Sequence, residues 1–263
     1  MLIAQLSDPH IDRTRPEKAA AFAQAVAHIQ GLPMRPDAVL ITGDCTDHGQ
    51  PDEYAQFMTL LRPLDMPVHV IPGNHDDRGR LRALFPRSQD ALPDFMQYTV
   101  DDLPVRLIGL DTLVPGQGSG DLDDTRLDWL DARLDEQRDR PTLLFMHHPP
   151  LVSGLDIMDA IGLRGSAALC DIVLRHPHVA RLVAGHLHMA ITTTFGHSTL
   201  MTCPGTDCTF QPDLSHPDRL VVQYQPPLCL LHSWSEKTGL LSYTRVIDRT
   251  PWTVLHDGQG WVG

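Results

Sequence analysis

Five short segments of this sequence carry carboxylate, amide and imidazole groups at spacings that suit metal ions. They are Asp8-Pro9-His10, Gly43-Asp44, Gly73-Asn74-His75-Asp76, His147-His148-Pro149-Pro150 and Gly185-His186-Leu187-His188. Asp-x-His puts a carboxylate and an imidazole on one turn, able to grip the same ion, although alone it reads equally well as a plain turn. Gly-Asp after a buried run lets a carboxylate project freely at a sheet edge, again a weak signal in isolation. Gly-His-x-His is stronger, because two imidazoles two residues apart in an extended turn can point at neighbouring ions. The joint occurrence, in this order, is what points to a two-metal hydrolytic centre. Nitrogen and oxygen donors without sulfur suit Mn, Fe, Zn or Co rather than the all-oxygen shell of Ca. Two ions need a bridging group, for which a carboxylate is the natural choice.

Each segment ends an apolar, strand-like run: 2–6, 38–41, 68–71, 142–146 and 182–184. Parallel sheets gather their ligand sites at the carboxyl ends of strands, so the five segments can converge. Between the runs, a helix is expected from Pro16 to Gln30, with Phe22, Val26 and Ile29 as its apolar stripe. A second begins near Pro51-Asp52-Glu53 and buries Tyr54, Phe57, Met58 and Leu61. This β-α-β-α-β order predicts parallel strands with right-handed crossovers. Further on, strands are expected at 98–100 and 105–110, in a second sheet, and helices at 123–137 and 165–174. The last third reads as mostly β, with strands near 191–195, 199–203, 220–224, 228–232 and 241–246. Pro204 to Pro217, rich in Pro and Asp, reads as a long loop able to form a lip on the site. The glycine-rich stretch 115–120 lacks the strand-to-helix context and lysine of a nucleotide loop. With no repeat or linker in evidence, residues 1–263 read as one domain.

Composition narrows the partners. A formal charge of -12 argues against general affinity for nucleic-acid backbones, which requires Lys and Arg to displace counterions. Fifteen histidines are an excess, and imidazole is the commonest metal ligand. His28, His69, His176, His178, His197, His232 and His256 fall outside the five segments and read as surface or loop residues. The five cysteines form no paired zinc spacing. With no charged leader and no membrane-length apolar run, a cytoplasmic protein is expected.

The five blocks together resemble the calcineurin-like metallophosphoesterases. Gly43-Asp44-Cys45-Thr46-Asp47-His48-Gly49, Gly73-Asn74-His75-Asp76, His147-His148-Pro149-Pro150 and Gly185-His186-Leu187-His188 are closest to the bacterial branch of class III cyclic nucleotide phosphodiesterases and glycerophosphodiesterases. The resemblance implies an α/β fold, a four-layer αββα sandwich around two mixed β-sheets. It further implies two divalent or mixed-valence transition metal ions. Asp8, His10 and His188 are then ligands of the first ion; Asn74, His147 and His186 are ligands of the second; Asp44 is the bridge. His75 is the non-ligand histidine that meets the phosphate or assists the leaving group. Asp47 and Asp76 orient imidazoles from behind, and His148 is a further candidate there, with the doubled histidine leaving some ambiguity. The chain departs from the usual pattern at Pro9 and at Cys45, a thiol beside the bridge that reads chiefly as a small buried hydrophobe.

The implied activity is hydrolysis of small phosphodiesters, 3′,5′-cyclic nucleotides or glycerophosphodiesters, by a hydroxide generated at the two ions. The alternatives are a phosphomonoesterase of the same superfamily, a non-catalytic metal-binding scaffold and a nuclease. The first lacks an Arg-rich phosphate clamp, the second has no missing ligand to recommend it, and the third lacks a basic face. The resemblance also points to a homodimer.

Overall fold

Largely apolar runs form strands buried along their entire length, as at Leu2–Leu6, Ala38–Thr42, Arg106–Leu110 and Thr142–Met146. The computed structural model describes residues 1–86, 91–224, 226–248, 253–256 and 258–261. The first half contains β1 (Leu2–Leu6), α1 (Pro16–Gln30), β2 (Ala38–Thr42), α2 (Pro51–Leu61), β3 (Val68–Ile71), α3 (Arg78–Leu84), β4 (Tyr98–Val100), β5 (Arg106–Leu110), β6 (Gly120–Asp121) and α4 (Asp124–Asp135). Then come β7 (Thr142–Met146), α5 (Asp156–Asp159), β8 (Leu163–Arg164), α6 (Ser166–Arg175), β9 (Val179–Ala184), β10 (Thr192–Phe195) and β11 (Ser198–Thr202). The chain closes with β12 (Thr209–Gln211), β13 (Val221–Gln223), β14 (Leu228–Ser235) and β15 (Gly239–Val246).

Two mixed sheets result. One has the order β15-β14-β1-β2-β3, in which β1, β2 and β3 are parallel and the C-terminal β14 pairs antiparallel with β1. The other has the order β10-β11-β9-β7-β5-β4, parallel through β11, β9, β7 and β5. The sheets pack face to face: the Tyr98 hydroxyl donates to the Val70 carbonyl at 2.8 Å. Gly109 leaves room for the Phe145 ring and Ile71, where a Cβ would meet them at 2.7 and 3.0 Å. The helices pair as α1 with α2 and α4 with α6. The first pair is locked by the stacked rings of Phe22 and Phe57, 5.5 Å apart. Two sheets between two helix layers make the αββα sandwich.

The expected elements are present, with boundaries displaced by up to three residues; beyond the short unexpected α5, β6 and β8, two stretches differ. Residues 204–217 are not a plain loop: Thr209–Gln211 pairs antiparallel with Val221–Gln223 in a separate ribbon. The α3 helix was not expected either. Its sequence is dense in arginine and glycine and buries only Leu81, so it shows no apolar stripe; the Asp77 side chain caps it by accepting from the Arg80 amide.

Candidate metal centre

The five segments meet at the carboxyl ends of β1, β2, β3, β7 and β9. The loops are tied to one another through backbone groups: the Asp8 amide donates to Gly43 O at 3.2 Å, His10 to Asp44 O at 2.9 Å, and Gly185 to His147 O at 3.0 Å. Among the described non-glycine residues, positive φ occurs at Asp8, His10, Asp44, Asp94, His186 and His188. All but Asp94 are expected ligands. Asp and His tolerate this region better than most residues, yet it still costs about 1–3 kcal/mol per residue. The strain is spent in turning side chains inward at the strand ends.

Asp8, His10 and His188 form one group. His188 Nε2 lies 3.4 Å from Asp8 Oδ1 and 3.2 Å from His10 Nε2. On the other side, His147 Nε2 lies 3.1 Å from Asn74 Oδ1, with the His186 ring centroid 5.1 Å from that of His147. Asp44 stands between them: its Oδ2 is 3.5 Å from His10 Nε2 and 3.3 Å from His147 Nε2. Its Oδ1 accepts the His75 amide at 2.9 Å. This is the arrangement a bridging carboxylate requires.

The two adjacent histidines differ in their hydrogen bonding. His147 Nδ1 donates to the Thr42 carbonyl at 2.8 Å, which directs Nε2 towards Asp44. Both nitrogens of His148 are engaged elsewhere, Nε2 donating to Gly118 O at 3.0 Å and Nδ1 accepting from the Thr112 hydroxyl at 2.8 Å. The His148 ring is buried against the same cluster, 4.7 Å from that of His147 and 4.5 Å from that of His186, and the three could together face an ion. Asp47 does orient an imidazole, at 2.8 Å from His10 Nδ1. Asp76 does not: its carboxylate accepts from the amides of Gly73, Cys45 and Thr46 and from the Tyr54 hydroxyl. It pins two ligand loops together through their backbones. His75 is the open one, its side chain 41% exposed and its Nδ1 donating to Asp47 O at 2.8 Å.

The electrostatics favour a cation. Burial pushes the Asp44 carboxyl up, but the imidazoles of His147, His10 and His75 outweigh it and hold the group well below its usual range. Burial opposes charge on His147 too, yet Asp44 and Asp8 raise it to about 9. His186 goes the other way: burial and the neighbouring His148 and His147 press it well below its ordinary value. Its Nε2 is buried with no hydrogen-bond partner. An inward lone pair that rejects a proton, beside carboxylates that demand positive charge, fits a metal ion.

Sequence reasoning missed several residues of the site. Asp207 Oδ1 lies 3.1 Å from His188 Nδ1 and so sets that ring's orientation. The Cys208 carbonyl is 3.3 Å from the same nitrogen, and Phe210 stacks on the His188 ring at 4.5 Å. Lys18 of α1 is 9% exposed and faces the site. A loop carboxylate and a helix lysine carry no spacing signal, so nothing local marks them. Above the ligands lies a cavity of about 350 Å³, with Arg15, Lys18 and His75 on its polar side and Ile157, Phe210, Val222 and Tyr224 among its apolar walls.

Comparison with known proteins agrees with this geometry. Residues 1–190 match the family model described as calcineurin-like phosphoesterase. The chain is 33% identical over 258 residues to a probable glycerophosphodiester phosphodiesterase GpdQ of Arcobacter nitrofigilis, covering 95% of this chain and 94% of that one. It is 33% identical over 233 residues to the 3′,5′-cyclic adenosine monophosphate phosphodiesterase CpdA of Pseudomonas aeruginosa, covering 86% and 84%. Among solved structures, a dimetal phosphatase from Danio rerio shares the fold, with a TM-score of 0.66 at 16% identity over 94% of this chain and 99% of that one. The chain belongs to the calcineurin-like phosphoesterase family.

Proposed function

We propose that this protein is a metal-dependent hydrolase of small phosphodiesters. The observation that carries the reading is the convergence of two ligand groups on Asp44 at the floor of one small cavity. Asp8, His10 and His188 would hold one ion, and Asn74, His147 and His186 the other, with Asp44 shared. The donor set suits Mn, Fe, Zn or Co. The chemistry such a centre supplies is activation of a water at neutral pH and neutralisation of phosphoryl oxygens.

The chain's own groups complete the reaction. Asp47 and Asp207 fix the rings of His10 and His188, and Thr42 fixes that of His147. Arg15, on the cavity wall, favours an anionic substrate. A diester has a poor alkoxide leaving group, so a proton delivered to it lowers the barrier. His75 would take that role as the imidazolium: with Nδ1–H held by the Asp47 carbonyl, its Nε2–H would pass a proton to the departing oxygen and leave the ring neutral. The apolar wall of Ile157, Phe210, Val222 and Tyr224 would receive the non-reacting part of the substrate.

Glycerophosphodiesters and 3′,5′-cyclic nucleotides are the two substrate classes in the relatives' names, and both remain candidates for this chain. We further propose a single domain over residues 1–263, acting in the cytoplasm as a homodimer. No helix among the described residues is long and apolar enough to cross a membrane.

The test is a hydrolysis panel on chelator-stripped protein reloaded with Mn²⁺. It includes bis-p-nitrophenyl phosphate, p-nitrophenyl phosphate, 2′,3′- and 3′,5′-cAMP and glycerophosphoethanolamine. Preference for diesters, abolished by Asn74→Ala, supports the proposal. Turnover of the monoester alone makes the protein a phosphatase, and two bound ions without turnover make it a scaffold.

A further inference from the structure

The two halves of the centre are supported in different ways. In the second group, the His147 ring is fixed by a neutral group, the Thr42 carbonyl. In the first group, both imidazoles are backed by carboxylates: Asp47 at 2.8 Å from His10 Nδ1 and Asp207 at 3.1 Å from His188 Nδ1. These carboxylates come from distant places, Asp47 from the loop after β2 and Asp207 from the loop before β12. Lys18 joins them. Its Nζ is 3.3 Å from Asp47 Oδ1 and 3.7 Å from Asp207 Oδ2.

A lysine on the first turns of a helix ordinarily extends into water. This one is nearly buried, with its side chain 10% exposed, while Asp47 is 20% and Asp207 is 7% exposed. Two carboxylates drawn to one side of the site repel each other and compete for water, and the ammonium between them removes both costs. Held there, each carboxylate keeps its oxygen on an imidazole N–H, which turns the opposite Nε2 inward. Partners behind metal-binding histidines set ring orientation and basicity, and losing one typically costs 10–100-fold in metal affinity.

We propose that Lys18 is a positioning residue for the first ion's pocket alone: it couples the carboxylates that hold His10 and His188, and through them sets how tightly that pocket binds its ion. This rests on the metal-centre reading given above. Lys18 touches none of the seven expected ligands and acts only through Asp47 and Asp207. The second pocket, whose contacts do not include this lysine, is unaffected by it.

The experiment is Mn²⁺ titration of the apo protein by calorimetry, with bound and free Mn²⁺ counted by electron paramagnetic resonance. The wild type should bind two ions per chain; if it binds none, the metal-centre reading itself is overturned. Lys18→Met should bind one ion with wild-type affinity and the other at least tenfold more weakly. In an Asn74→Ala background, which leaves the first pocket, Lys18→Met should produce that same weakening; in an Asp8→Ala background, which leaves the second, it should change nothing. Lys18→Arg should recover most of the loss, since a guanidinium can still bridge two carboxylates. Wild-type binding of both ions by Lys18→Met, or equal weakening of both, overturns the proposal. If Lys18→Met does not fold, Asp207→Asn carries the same test with the same opposing outcomes.

Discussion

His147 Nδ1 lies 2.8 Å from the carbonyl oxygen of Thr42, the last residue of β2, and this hydrogen bond aims the opposite ring nitrogen at Asp44. A ring anchored through Nδ1 directs Nε2 at Asp44, where a bound ion would take the place of the proton that the Asp44 and Asp8 carboxylates otherwise hold on the ring. Both nitrogens of His148 are bonded away from the expected ligands, to Thr112 and Gly118, whereas His147 Nε2 faces Asn74 and Asp44. We therefore expect His147→Ala to lose one of two bound Mn²⁺ ions, or to bind it at least tenfold more weakly. His148→Ala should keep both ions and lose thermal stability instead, because it removes a buried ring and orphans its partners. Metal counting and thermal unfolding on the two variants distinguish these outcomes.

His75 and Asp44 should separate chemistry from metal binding. Asp44 lies against both ligand groups, whereas His75 is held by a backbone carbonyl and is open to the cavity. His75→Ala is expected to retain both ions while kcat on a diester falls about 10²–10⁴-fold, the usual range for a lost general acid. Asp44→Ala should lose at least one ion as well. Equal metal loss in the two variants would remove His75 from its assigned role.

Two glycines are required by close approach. A Cβ on Gly73 would sit 2.2 Å from Asp44 Oδ1, and one on Gly185 would sit 2.1 Å from Ser7 Oγ and 2.7 Å from Asp8 Oδ2. Each neighbour is buried and hydrogen-bonded, so it cannot step aside without moving an expected ligand. Gly73→Ala and Gly185→Ala should each weaken Mn²⁺ binding by at least tenfold, read by calorimetry. The first acts through the shared Asp44 and should affect both ions; the second acts through Asp8 and should affect chiefly one.

Acid stability should depend on His232, far from the ligands. Its ring is fully buried in β14, bonded to Ser242 Oγ and Gln5 Oε1, and burial lowers its pKa from 6.5 to about 3. Between those values the unfolded chain takes up a proton that the native protein excludes, so stability rises with pH and is lost as the pH falls below 6.5. The slope from one such proton is at most about 1.4 kcal/mol per pH unit. His232→Gln keeps a donor and an acceptor without the titration, and should flatten the dependence of urea unfolding midpoints between pH 4 and 6.5. An unchanged slope would assign acid sensitivity to other groups.

The thiol beside the bridge should be inert. Cys45 is wholly buried, and burial together with the charges of Asp76 and Asp44 pushes its pKa well above the ordinary value. Since the thiolate is the reactive form, iodoacetamide should leave Cys45 unlabelled in the native protein, as peptide mass analysis would show, and Cys45→Ala should be no less resistant to peroxide than the wild type. Rapid native labelling of Cys45 would refute this.

Much of the centre was legible because it is written locally. Strands buried on both faces read as continuous apolar runs, and each expected ligand sits within a few residues of where a run ends. Asp47 likewise lay close enough to a ligand block to be noticed. Asp76 was noticed for the same reason and given the wrong task, since proximity to His75 says nothing about whether a carboxylate faces an imidazole or the amides of a neighbouring loop.

By itself, then, the amino-acid order determined most of the strands of the two large sheets, the longer helices between them, the candidate donors and the family. Those follow from side-chain type and short-range period, which survive in a linear string. Tertiary structure alone decided that β14 inserts beside β1, that Asp76 meets backbone amides rather than an imidazole, and that Asp207 and Lys18 meet behind His188 and His10. Lys18 and Asp207 are 189 residues apart. Their pairing depends on where two sheets and a C-terminal loop come to rest, and a contact made at that separation leaves no periodic trace in either segment.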